Sequence, residues 1–224
     1  MENLEIPALL NSNYPFFGWT GCVVIFLASL ITALAYRGRD GERYSVRNHY
    51  ISELGEVGVS RLAWLFNIGM IIGGIFFVLM MLGLGLRLGS AWGIAAMISG
   101  SIAGIFCALV GVFPMDNIKP HSFVAMSYFR MGLLTVTLFT ITIFVQPAAN
   151  RAIPLYVNIF GILALISYAV FLVVIGRAVR KNKQEVDVLD TAETKTRPKF
   201  WLLPFLEWMV FFSTLLWFLV LAIS

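Results

Sequence analysis

The residues of this chain best suited to proton transfer are its two histidines and the groups beside them. His49, Ser52 and Glu53 fall together in YSVRNHYISELG, and Asp116 and His121 fall together in PMDNIKPHS. A histidine beside a carboxylate can act as a general base, and Ser52 can in principle supply a nucleophile. Each residue also has a plainer reading. Asp116 can cap the turn between two apolar runs, and His121 can cap the start of the run that follows or sit at a membrane interface. The sequence has 2 histidines and neither an H-x-x-x-H nor an H-E-x-x-H spacing, so no metal and no cofactor is expected.

Two further residues carry charge where charge is costly. Arg130 lies about seven residues into an apolar run that begins near Phe123, and Glu207 about seven into one that begins near Phe200. As helices, these runs place both side chains roughly 10 Å inside the apolar layer, with Asn67 slightly shallower. An ionised group at that depth turns to the bundle interior and seeks a partner. The expectation is an Arg130–Glu207 ion pair, its remaining hydrogen bonds completed by Asn67, Tyr128 and Tyr168. Such a pair is either a clasp between the fourth and sixth runs, or the floor of a pocket where Arg130 binds an anionic group such as a lipid phosphate or carboxylate.

Composition dictates the elements that must hold these groups. A chain of 224 residues that is 59% hydrophobic and 12% charged, with a mean hydropathy of +0.87, has more apolar surface than one water-soluble core can hide. It reads as an all-α integral membrane bundle of six transmembrane helices, at about 16–36, 62–84, 91–113, 123–145, 153–176 and 200–223. Each run is near the roughly 20 residues that cross about 30 Å of hydrocarbon. Residues 16–223 then form one domain. Residues 1–15 form a short extracytoplasmic tail, because they lack the basic start of a secretory signal.

Lysine and arginine orient this bundle. Arg37, Arg39, Arg43, Arg47 and Arg61 lie in the first link, Lys119 in the third, and Arg177, Arg180, Lys181, Lys183, Lys195, Arg197 and Lys199 in the fifth. The opposite side has Arg87 and Arg151, so the odd-numbered links are expected in the cytoplasm and both termini outside. The net charge of +4 is therefore topology and contact with anionic lipid, and implies no nucleic acid. The fifth link, 177–199, reads as a charged cytoplasmic loop. The first reads as a short amphipathic helix at the interface, with Ser45 as N-cap and Gly55 or Gly58 at its end.

Small residues indicate close helix approach. Ala96, Gly100, Gly104 and Ala108 recur in the third run, and Gly69-x-x-x-Gly73 marks the second, so these strips are expected to bring the two together. Cys22 and Cys107 belong to no C-x-x-C pair and read as packing residues.

Together, HYISELG (49–55), the Asn67-containing second run, GVFP-x-D (111–116) and His121 resemble a family of uncharacterised six-helix prokaryotic membrane proteins classed as a domain of unknown function. That family is distantly similar to the DRAM and GPI-lipid-remodelling membrane proteins. The resemblance implies the six-helix fold and a polar cluster at Ser52, Glu53, Gly55, Asp116 and His121, and it implies no established reaction. Alkaline ceramidase-like hydrolases also gather Ser, Asp and His at one membrane face, but they use an H-x-x-x-H pair that this chain lacks.

Three functions follow as expectations. The first is a multi-pass cell-membrane protein, suspected in the prokaryotic plasma membrane, that binds an anionic lipid headgroup through Arg130, Asn67, Glu207 and Tyr128. The second is a lipid-modifying enzyme using His121 with Asp116 or Glu53, with His49 and Ser52 as further catalytic candidates. The third is a small transporter or an accessory subunit. Membrane lipids are the expected partners, while a protein partner or homo-oligomer is left open.

Overall fold

Backbone N–H and C=O groups in hydrocarbon find no water, so a chain this apolar satisfies them within helices. The computed structural model describes residues 5–182 and 197–224, and among these the chain is helical, without strands. Six helices are long and apolar enough to cross a membrane: α1 (Glu5–Ala35), α2 (Ala63–Leu88), α3 (Ala91–Val112), α4 (Ile118–Val145), α5 (Val157–Asn182) and α6 (Leu202–Ala222). Each packs on the next and α6 returns to α1, which closes a ring. The links α1–α2, α3–α4 and α5–α6 share one end of it.

Local chemistry explains where the helices stop and start. The α2–α3 link is only Gly89 and Ser90: Gly89 takes the left-handed backbone at φ 57 that ends α2, and the Ser90 hydroxyl accepts the Gly93 N–H at 3.0 Å to start α3. α4 begins at Ile118, five residues before the expected position, and takes Pro120 into its first turn, where a missing N–H breaks no helical bond.

α1 begins at Glu5, so the described part of the expected 1–15 tail is helix, and residues 1–4 lie outside the described residues. Two contacts hold this extension. Gly83 of α2 has no side chain to keep away the Leu10 carbonyl and Tyr14, and the Arg87 guanidinium sits 5.7 Å from the centre of the Tyr14 ring. Ser12 and Asn13 donate to the Ala8 and Leu9 carbonyls at 3.0 and 2.8 Å, so their polar groups are absorbed by the helix. α5 likewise runs to Asn182, past the expected start of the charged loop, and 183–196 of that loop lie outside the described residues.

The ring is filled by Phe77, Met80, Met81 and Leu84 of α2, Phe139 and Ile143 of α4, Tyr168 and Phe171 of α5, and Trp217 and Leu221 of α6. Phe77 and Phe218 meet edge-on with ring centres 4.5 Å apart. α2 and α3 do approach through small residues, but the expected pairing is corrected. Gly74 of α2 faces Gly104 and Ala108 of α3, whereas Gly69 and Gly73 face α1 at Ala28, Ile25 and the Gly21 carbonyl. Gly73 and Gly74 are neighbours in sequence, about 100° apart around the helix, so each serves a different partner.

A side chain at Gly74 would begin 2.5 Å from the Ala108 backbone nitrogen, with no flexible neighbour to yield. Gly74→Val should lower thermal stability in detergent by about 1–3 kcal/mol or more. At Gly176 of α5 nothing lies within 4 Å, so Gly176→Ala should be neutral or raise stability by up to about 1 kcal/mol in the same melting experiment.

Candidate functional site

The α1–α2 link folds over the end of the ring as a lid. Where a short amphipathic helix from Ser45 to Gly55 or Gly58 is expected, the structure has a five-residue 3-10 turn, Ile51–Gly55, in which Ser52 to Gly55 are buried. Ser45 begins a separate turn, its hydroxyl accepting the Arg47 N–H at 3.3 Å, so it does not cap a helix. Glu53 closes the 3-10 turn by accepting the Tyr50 N–H at 2.8 Å.

Three elements clamp the lid. α6 does so through Glu207, whose Oε2 accepts the Ile51 N–H at 2.8 Å, and through Trp208, whose indole N–H is shared between the Tyr44 hydroxyl at 3.1 Å and the His49 carbonyl at 3.2 Å. The strand of chain entering α6 adds Arg197, which holds both oxygens of Glu53 at 3.0 Å and also donates to the Asn48 carbonyl at 2.9 Å. Trp201 N–H donates to the Arg47 carbonyl at 2.8 Å. α2 contributes Asn67, whose amide donates to the Gly55 carbonyl at 3.0 Å. Arg197 is the residue that sequence reasoning missed, having counted it only as a topology charge.

The expected Arg130–Glu207 pair is not formed. Arg130 is exposed and has no hydrogen bond or ion pair among the described residues, while Glu207 is 6% exposed and turned inward. The reason is the helix face. Phe123, Arg130 and Leu134, spaced by seven and four, share the outer surface of α4, with Phe123 and Leu134 exposed at 67% and 44%. Tyr128, Phe129 and Gly132 take the inner one. Equal depth did not imply equal facing.

The other expected site residues separate into two groups. His121 is buried and its Nδ1 is spent on the Phe113 carbonyl at 2.8 Å, which caps α3. Asp116 is exposed and accepts the Val57 N–H at 3.4 Å, tying the third link to the lid. His49 is 2% exposed and packed against the rings of Tyr36 and Tyr44. With Glu53 and Asn67, these residues hold the lid and the helix ends. Ser52, Glu207 and Tyr128 instead line a cavity. Among the described residues no hydrogen bond joins Ser52 to either histidine; its hydroxyl meets Met115 Sδ at 3.5 Å.

That cavity lies directly beneath the lid, between α1, α2, α3, α4 and α6. Its volume is about 50 Å³, several times the room one water needs. Ile25, Phe66, Met70, Val110, Ala125 and Leu215 give it apolar walls. From Glu207 to Thr214 on α6 it extends roughly 10 Å into the bundle. There the Tyr128 and Tyr168 hydroxyls lie 3.3 Å apart and Thr214 Oγ1 is 3.1 Å from Tyr168. A second cavity, about 20 Å³, continues beyond, sharing Phe77 and Tyr128 with the first.

A family model described as "Protein of unknown function (DUF998)" matches residues 20–224. No curated protein and no solved structure matches the chain.

The lid's electrostatics yield two testable consequences. Burial, reinforced by the nearby Arg197 charge, lowers the His49 pKa below its usual 6.5, against an opposing pull from Ser45 and from Glu42, 3.9 Å from Nε2. Burial pushes the Glu53 carboxyl upward against the opposing pull of Arg197. A histidine with a depressed folded pKa contributes stability above its unfolded value, and that stability is lost as pH falls. The melting temperature in detergent should therefore drop from pH 7.5 towards pH 5.5 more steeply for the natural protein than for His49→Gln. Arg197→Gln leaves Glu53 buried without its cation and should cost about 2–3 kcal/mol, Arg197 being partly exposed. Adding Glu53→Gln should restore part of that loss in a double-mutant cycle.

Proposed function

Since the chain belongs to the DUF998 family of proteins of unknown function, a description that carries no activity, we propose its role from the geometry. It is a multi-pass membrane protein, and its lidded cavity binds an apolar, chain-like molecule of the lipid class. The observation that carries this reading is the cavity itself: an apolar channel inside a lipid-embedded ring, ending in Glu207 and Ser52 beneath the lid. A ligand of this kind reaches such a site from the bilayer, and burial of its chain supplies the affinity.

The anionic-headgroup reading is weakened by the same walls. Among the described residues no lysine or arginine lines the cavity, and Arg130 faces outward. On that face its long side chain can extend to the headgroup layer, where contact with anionic lipid belongs to the outer surface of the protein. The hydrolase reading lacks, among the described residues, a hydrogen bond between a serine hydroxyl and a histidine ring. The positive bias of the odd-numbered links supports a cytoplasmic lid in the cell membrane.

Ala125 lines the cavity from α4, and a larger side chain there fills it. Native mass spectrometry of the purified protein should find a bound lipid-like molecule that Ala125→Phe loses while its melting temperature changes little. A variant that keeps the same bound species in the same amount would count against this cavity as the binding site.

A further inference from the structure

The polar end of the cavity offers a ligand the Glu207 carboxyl and the Ser52 hydroxyl and, among the described residues, no cation. Glu207 is 6% exposed, and only its Oε2 is engaged, by the Ile51 N–H. Among the described residues no hydrogen bond or ion pair reaches Oε1, although a carboxylate has room for several donors. The nearby guanidinium, Arg197, is committed to Glu53 and the Asn48 carbonyl. The Ser52 hydroxyl, beside Glu207 on the cavity wall, has only the weak thioether of Met115 as its acceptor. The tyrosine and threonine hydroxyls at the far end are occupied with one another and with the Val210 carbonyl.

A buried carboxyl lacking its full set of donors is costly in an apolar site. A ligand that brings a donor relieves this cost, and one that brings an anion increases it. Resting on the cavity reading above, we infer that the occupant is an amphiphile with a hydrogen-bond-donating head, an ammonium or a hydroxyl, which meets Glu207 Oε1 while its chain runs along Val210 towards Thr214. Glu207 is thus the residue that sets head-group specificity. Fatty acids and phosphate-headed lipids are the classes it rejects.

The test holds the chain constant and changes only the head. Dodecylamine, dodecanol and dodecanoate are titrated against the full-length protein in one non-ionic detergent, with binding read by native mass spectrometry and thermal shift, and Ala125→Phe as the control for binding elsewhere. The amine or the alcohol should bind about tenfold or more tightly than dodecanoate. Glu207→Gln, which keeps an acceptor for the Ile51 N–H, should weaken the amine about tenfold and the alcohol far less; this arm separates an ammonium from a hydroxyl head. Dodecanoate binding as tightly as the amine and the alcohol, or an amine affinity that Glu207→Gln leaves unchanged, overturns the inference. If all three bind alike and Ala125→Phe removes them, the cavity reading stands and the head-group inference fails. If none binds, both fail. The comparison on the natural protein decides the question even where the variant does not fold.

Discussion

The Ile51 N–H to Glu207 hydrogen bond is the contact on which the architecture of this end of the molecule depends. It joins a link that would otherwise be free in the interface to the most enclosed helix of the ring. Around it, Trp208 ties down the lid backbone, Arg197 holds Glu53, and Asn67 takes the Gly55 carbonyl. The lid is therefore fixed from α2, from α6 and from the chain entering α6. Glu207 serves twice, capping lid backbone with Oε2 and contributing to the cavity wall.

Beneath the lid, the ring is built by two different kinds of contact. Between α1, α2 and α3, glycines on adjacent faces of α2 let backbone approach backbone, and the helices pack tightly. Between α4, α5 and α6, the contact is made by large rings and hydroxyls: Phe129 with Phe171, Phe139 with Trp217, Tyr128 with Tyr168. The two cavities lie where these packing regimes meet, against Phe77 and Tyr128.

This arrangement separates two roles that the sequence presents as one polar cluster. His49, Glu53, Asn67, Asp116 and His121 each meet a backbone group at the lid or the helix ends. Ser52 and Glu207 face the cavity. Burial of polar groups at the lid demands partners, and most are supplied locally, with His49 Nε2 and Asn67 Oδ1 the buried atoms of this group that find no hydrogen bond among the described residues; the cavity wall is left almost wholly apolar.

The sequence by itself determined the membrane class, the helical state and the presence of six runs long enough to cross, because hydrocarbon offers the polar backbone no water and continuous apolar runs of this length satisfy it within helices. It also marked Glu207 as a buried carboxylate and the third helix's small residues as a close contact. What only the tertiary structure decided is which way each residue faces. In water, a helix announces its inner face by an apolar stripe. In lipid the outer face is equally apolar, so Arg130 and Glu207 at matched depth looked like partners although one points out and the other in. For the same reason Gly69 and Gly73 gave no sign that they serve α1, and Gly74 none that it serves α3. The lid's partners were equally hidden, because Glu53 and Arg197 are separated by 144 positions and only the closing of the ring brings them together.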